Sequence, residues 1–225
     1  MSISRIDLPD IPYHVFVRGN NKQAVFLDHQ DYLVYLRMVR KAKKKFSFSL
    51  FTYALMDNHI HLLLKMLEDS SLSALIHWIH VGYAHYFNRR HGRVGHLFQG
   101  RFHSNLVDTD EYFLTVDRYI HLNPVRAKMV KRPEDFIWSS YRRRLVNRSG
   151  DWISHQDVLN YFSDEEEKCL QEYREFTESS INKPEEWSHD TLRKTTYLGS
   201  SEFIEKIHRL QDSQFDRLNY SIQTA

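Results

Sequence analysis

Asn58-His59-Ile60-His61-Leu62-Leu63-Leu64 is the stretch whose reading decides the fold. It is apolar, rich in leucine, and short enough for one strand. Side chains alternate along a strand, so positions two apart share a face at about 6.5–7 Å. His59 and His61 therefore point one way, and Ile60, Leu62 and Leu64 point the other way into a core. Two neutral imidazoles on one face are half of a metal site. Taken alone, the same spacing also suits two polar residues on the wet face of a half-buried strand.

The neighbouring segments extend this strand into a sheet. Phe46 to Met56 alternates and runs into Asp57-Asn58, a tight turn, which makes a hairpin with His59 to Lys65. Tyr13-His14-Val15-Phe16-Val17-Arg18 reads as a further strand ended by Gly19-Asn20-Asn21. Between the two lies a helix with Asp28 as its cap and Tyr32, Leu33, Leu36 and Val39 at helical spacing. A long helix is expected from about Ser71 to Arg90, with Leu72, Leu75, Ile76, Ile79, Tyr83 and Phe87 as its stripe. Phe102 to Val107 reads as a strand. Thr109 is expected to cap a helix carrying Asp110 and Glu111 in its first turn, and Asn123-Pro124 to end or bend it. Hairpins and helices mix without a regular parallel alternation. The expectation is an α+β fold, an antiparallel sheet with helices on one face.

Past about residue 150 the pattern turns helical. Ser154 heads one short helix, Ser163-x-x-Glu166 is a capping box for the next, and Ser200 or Ser201 starts the last. Charge changes at the same place. Residues 1–150 carry 23 Lys and Arg against 13 Asp and Glu, whereas residues 151–225 carry 8 against 16. The expected division is a basic body, 1–150, and an acidic helical C-terminal extension, 151–225. The body suits a polyanionic partner, and the extension could repel nucleic acid from one side, cover the basic face when no partner is bound, or add a DNA or dimer contact. The one cysteine, Cys169, excludes an internal disulfide and a cysteine zinc site. No signal-like or membrane-length apolar run occurs, so a soluble cytoplasmic protein is expected, without a membrane partner.

The helix from Thr109 holds the second informative set, Tyr119-Ile120-His121-Leu122-Asn123. Residues four apart on a helix share a face, so Tyr119 and Asn123 lie together. If that face meets His59 and His61, the parts of metal-assisted phosphoryl transfer are present. Two imidazoles and the Asn123 amide oxygen can hold a divalent cation on a phosphodiester, and the Tyr119 phenolate can attack. The mixed nitrogen and oxygen set suits Mn²⁺ more comfortably than Mg²⁺. Asn123 could equally only cap the helix end, and Tyr112, two turns earlier on the same face, is the alternative nucleophile. His121 lies off that face and reads as structural. His77, His80 and His85 read as solvent-facing. Arg18, Arg89, Arg90, Arg93 and Arg101, with Arg142, Arg143 and Arg144, supply positive charge for nucleic acid, near Phe98, Phe102 and Tyr141, which could stack bases. Each cluster also suits a solvated charged face.

Asn58 to Leu63, Tyr53 to Met56 before it, and Tyr119-Ile120-His121-Leu122-Asn123-Pro124-Val125-Arg126-Ala127 resemble the single-tyrosine transposases of the HUH superfamily. Tyr13 to Asn21, Tyr86 to Gly92, Gly95 to Phe102 and Trp138 to Tyr141 support the likeness, which covers roughly residues 11–145 and is closest to the REP-associated tyrosine transposase-like branch. The resemblance implies a ferredoxin-like core, Mg²⁺ or Mn²⁺ on His59 and His61, Asn123 as third ligand, and Tyr119 as nucleophile. It also implies single-stranded DNA with hairpin ends as substrate, a 5′-phosphotyrosine intermediate, and often a homodimer. Asp57 departs from the family, where proline is more usual. A relative that binds a DNA repeat without transposing it, and a hydrolytic metal-dependent nuclease, are the competing readings.

Overall fold

The computed structural model describes residues 7–68, 70–108, 111–146 and 152–223, with side chains through 213. Strand β1 (Pro12–Arg18) is followed by helix α1 (His29–Ala42), the hairpin β2 (Phe48–Met56) and β3 (His59–Met66), helix α2 (Leu72–Arg90) and strand β4 (His103–Val107). This is a βαββαβ order, and the strands lie β2-β3-β1-β4, with every one of these pairs antiparallel. That arrangement is ferredoxin-like. Helix α3 (Glu111–Arg126) follows, then α4 (Tyr141–Val146), α5 (His155–Leu159), α6 (Glu166–Glu178), α7 (His189–Lys194), β5 (Tyr197–Leu198) and α8 (Ser201–Gln223).

Local chemistry accounts for the ends of the elements. Asp28 accepts from the backbone N–H groups of Gln30 and Asp31 and starts α1, and Ser71 accepts from Ala74 N–H and starts α2. The chain leaves β1 through Gly19, where a Cβ would stand 2.1 Å from the Gln23 carbonyl oxygen. Only glycine permits so close a turn.

The sheet has two unlike faces. Tyr13, Val15, Val17, Ile60, Leu62 and Leu64 join the stripes of α1 and α2 in one apolar core. The expected helices on one face are these two. The opposite face carries Phe16, Phe51, Ala54 and Leu63, and here α3 packs through Phe113, Val116 and Ile120. A β-bulge between Leu50 and Thr52 turns β2 at this point. Phe51 then meets Phe113 edge-on, and the Thr52 hydroxyl donates to Asp117 on α3.

Several expectations change. Asn123-Pro124 does not end α3, which runs on to Arg126, with Ala127 N–H bonded to the Asn123 carbonyl. Pro124 has no N–H to give the Ile120 carbonyl, so the helix continues past it with one backbone bond fewer. Thr109 and Asp110, the expected cap, lie outside the described residues. Ser163 and Glu166 do not form a capping box. Helix α6 begins at Glu166, Ser163 Oγ accepts from Glu165 N–H, and Ser163 N–H donates to Glu172. His77 and His85 are exposed as expected, but His80 is packed against Phe98 and hydrogen-bonded to Tyr35. The C-terminal third also lengthens the sheet: β5 pairs in parallel with β4 at Leu106 and Val107.

A buried polar network ties α3 to the elements after it. Arg144, expected among the DNA-facing arginines, is fully buried and sits 2.7 Å from Asp117, itself fully buried. It also donates to the Phe51 carbonyl and to the Tyr173 hydroxyl on α6. Tyr173 donates in turn to Asp117. Desolvation works against the Asp117 charge, but Arg144, His121 and Thr52 hold its carboxyl far below the ordinary range. His121 bridges Ser140 and Tyr173, the structural role expected of it. Removing one partner of such a pair strands a buried charge. Arg144→Met is expected to cost roughly 3–5 kcal/mol in chemical denaturation, and Arg144→Met with Asp117→Leu to recover much of it. Equal losses in single and double variants would argue against the pair.

Candidate active site

The hairpin places His59 and His61 on the α3 face, as alternation requires. Their ring centroids are 5.1 Å apart and the rings are nearly perpendicular. His61 is fully buried, whereas His59 is partly so, with Nδ1 at 2.7 Å from Asn58 Oδ1. Tyr119 comes down from α3 so that its ring centroid is 5.9 Å from that of His61, edge to face. The structure thus brings His59, His61 and Tyr119 together. Asn123 stands one turn on, its Nδ2 donating to the Tyr119 carbonyl at 2.8 Å. Tyr119 is the helical tyrosine whose ring meets the histidines; Tyr112 packs at the edge of the α3 core.

Four participants were absent from the sequence reading. His14 on β1 lies beside His61, with Nε2 at 2.9 Å from His61 Nδ1. Asn105 on β4 stands opposite His14 in register. From the C-terminal third, His189 stands 6.2 Å from His59 and 6.4 Å from His61 between centroids, and Trp187 packs edge-on against Tyr119. The inward position of His14 was readable from strand alternation. Its place next to His61 depends on the strand order β3-β1-β4, which no local pattern reveals.

Electrostatics set the protonation states. Burial pulls the His14 imidazole down from 6.5 to about 3 and that of His59 to about 4. His61 falls well below 6.5 through burial and its histidine neighbours. All three are neutral near pH 7, the state in which an imidazole can ligate a metal. His61 Nε2 is buried and meets no hydrogen-bond partner among the described residues. A buried bare imidazole nitrogen beside a second imidazole fits a divalent cation. Among the described residues no three His, Cys, Asp or Glu form a metal-binding group, so the pair needs an oxygen ligand of another kind, the role expected of Asn123.

Tyr119 is covered, at 2% exposure. Burial, then Glu185, raises its phenol to about 12, against the lowering influence of Asn123 and Arg126. The cover is fastened by Glu186, which pairs with Arg118 at 2.7 Å and Arg126 at 3.0 Å. Arg126 also lies over the Tyr119 ring.

The expected DNA-binding arginines divide. Arg18 and Arg101 line a cleft beside the histidines, shared with His103, His189 and Arg193; Arg18 donates to Gln99. Arg90 is engaged by Asp28 and Asp31, each at 2.7 Å. Arg93 donates to Gln23 and lies over the Phe87 ring. Arg89 and Arg143 are exposed, and Arg142 lines a cavity with Glu134, Asp135 and Arg174.

The site is thus a ferredoxin-like sheet that carries a histidine pair under a helical tyrosine. The comparisons with known proteins carry this further. Residues 8–123 match the family of IS200-like transposases. The match spans just over half of the chain, and the chain belongs to that family, whose activity is DNA transposition, the cleavage and rejoining of DNA. Among solved structures, a REP-associated tyrosine transposase bound to a REP hairpin superposes with a TM-score of 0.56 at 19% identity, covering 68% of this chain and 94% of that one. A putative transposase from Deinococcus radiodurans R1 gives a TM-score of 0.38 at 14% identity, covering 57% and 92%. No curated protein sequence matches. Among the described residues no helix is long and apolar enough to cross a membrane.

Two outcomes follow from the charges. The unfolded chain takes up protons on its histidines near 6.5, and the folded one resists until about 4 at His59 and about 3 at His14. Their contribution to stability is therefore complete above about 6.5 and lost as pH falls through that window. Denaturation of the metal-free protein at a series of pH values should show this loss, and His14→Gln should make it shallower. Glu186→Gln removes a negative charge near Tyr119 and releases Arg126. The Tyr119 phenol should then ionise below about 12, read as the phenolate absorbance that Tyr119→Phe removes from the same background.

Proposed function

We propose that the protein is a metal-dependent DNA strand transferase of the REP-associated kind, cleaving and rejoining single-stranded DNA with hairpin ends through a 5′-phosphotyrosine. The observation that carries this is the Tyr119 ring 5.9 Å from that of His61, over an imidazole pair with one bare buried nitrogen. The similar structure bound to a REP hairpin supports the substrate class.

His59 and His61 would hold the cation, with the Asn123 amide oxygen as third ligand. Mn²⁺ or Mg²⁺ there would supply positive charge to the scissile phosphate. The residues of the chain do the rest. Arg18 and Arg101 line the cleft where backbone phosphates would lie, and Arg193 adds to it from the C-terminal third. The Tyr119 oxygen forms a bond to phosphorus as the bond to the 3′-oxygen breaks. The phenol proton departs to solvent or base, and the leaving 3′-oxygen takes one up. Rejoining is the reverse attack by a 3′-hydroxyl, and the phosphotyrosine conserves the ester energy, so no nucleotide is consumed.

Residues 1–150 carry the catalytic groups in this reading. Residues 151–225 close over them through Glu186, Trp187 and His189, so the covered Tyr119 describes a resting form that DNA must open. A homodimer is part of the proposal as the family resemblance implies it.

The test is a denaturing gel with labelled single-stranded hairpins, with and without Mn²⁺. A metal-dependent covalent protein–DNA band is expected, absent in Tyr119→Phe, whose DNA affinity stays within about twofold because a ring without its hydroxyl leaves phosphate contacts intact. Cleavage without a covalent band would establish a hydrolytic nuclease. Binding without cleavage would leave a repeat-binding protein.

A further inference from the structure

We infer that Asn105 and His14 are positioning residues that fix the tautomer of His61, and that two backbone carbonyls of the C-terminal third set the direction of the relay. It starts at Asn105, a fully buried side chain on β4. Its Nδ2 donates to the Leu192 carbonyl at 2.9 Å and to the Thr195 carbonyl at 2.8 Å. Both partners are acceptors, so the nitrogen end of the amide must face them. A flipped amide would set an oxygen against two oxygens. The Asn105 oxygen is thereby turned the other way, as an acceptor only.

His14 is directly opposite Asn105 in the β1–β4 register. Asn105 Oδ1 and His14 Nδ1 are both buried, and neither has a hydrogen-bond partner among the described residues. They are the buried polar ends left over on two residues that face each other across the β1–β4 pair. The His14 proton belongs on Nδ1, facing the oxygen. A neutral imidazole carries one N–H, so His14 Nε2 is then an acceptor. It lies 2.9 Å from His61 Nδ1, with the two rings stacked at 11°. His61 Nδ1 must donate, and the bare lone pair of His61 falls on Nε2, the buried atom without a partner.

Each step follows from the one before, and the end point is an imidazole primed to ligate on the side facing the site. Without Asn105 the His14 proton can sit on Nε2 and point at His61. The His61 proton then moves to its own Nε2, where it blocks a cation. Outer partners that orient a ligating histidine typically change metal affinity 10–100-fold. The purpose of the relay rests on the proposed metal role of His61, but the tautomer itself exists without metal.

Long-range proton–nitrogen NMR of the metal-free full chain reads the tautomer, with the His61 signals assigned by their loss in His61→Gln. Calorimetric titration with Mn²⁺ reads the affinity. The wild type should show Nδ1–H and a bare Nε2 at His61. Asn105→Leu should populate the other tautomer and weaken Mn²⁺ about 10–100-fold. His14→Leu should do the same, whereas His14→Gln should retain affinity, since its oxygen can accept from His61 and its amide nitrogen can donate to Asn105. If Asn105→Leu does not fold, the two His14 variants carry the comparison. A wild-type His61 protonated on Nε2 would overturn the relay, as would folded Leu variants with unchanged tautomer and affinity. A wild type with the expected tautomer that binds no Mn²⁺ would sink the metal reading of the site and leave the relay standing.

Discussion

Asp117 and Arg144 form an ion pair from which water is excluded, and the position of the α3 helix depends on it. A lone charge in that interior would cost several kcal/mol, so each partner is surrounded by further donors and acceptors. Thr52 and the Phe51 carbonyl from β2, Arg144 from α4 and Tyr173 from α6 converge on one helical turn. Three elements far apart in sequence are thus fastened to α3. Two residues along from Asp117, the helix presents Tyr119 on a different side, toward the histidines. The distance between the Tyr119 ring and the imidazole pair follows from this anchoring together with the close packing of Phe113, Val116 and Ile120.

The sheet divides the labour between its faces. One face is apolar and covered by α1 and α2. The other buries His14, His61 and Asn105 as well as Phe16 and Leu63. Buried polar groups demand partners; here His14 bonds to His61, and Asn105 stands opposite His14, in a line across β4, β1 and β3. His61 Nε2 is buried without a partner among the described residues and is the atom the proposed cation would meet. The polar face is at once a stability cost and the reason the site is preorganised.

The charge asymmetry of the chain acquires a structural meaning. Acidic residues of the C-terminal third neutralise arginines of the body: Glu186 with Arg118 and Arg126, and Glu178 near Arg132. The same third supplies Arg193 and His189 to the cleft and the carbonyls of Leu192 and Thr195 to Asn105. It therefore covers the site and builds part of it. Arginines that look alike in sequence take different roles accordingly. Arg144 is interior, Arg90 is engaged by Asp28 and Asp31, and Arg18 and Arg101 line the cleft.

Local pattern determined a good deal by itself. The period-two alternation of β3 put His59 and His61 on one face and Ile60, Leu62 and Leu64 on the other. The caps Asp28 and Ser71 set the helix starts, and the four-residue spacing joined Tyr119 to Asn123. These features depend on neighbours within a turn or a strand, so the order of residues encodes them directly. Tertiary structure alone decided the rest. His14 reaches His61 only through the strand order β3-β1-β4, and Asn105 only through the β1–β4 register. His189 and Trp187 arrive across more than sixty residues of chain. Arg144 shares its local sequence pattern with the exposed Arg142 and Arg143, and only packing against Asp117 and Tyr173 makes it interior. Contacts of that kind arise from the packing of distant segments, and no spacing along the chain specifies which of them will meet.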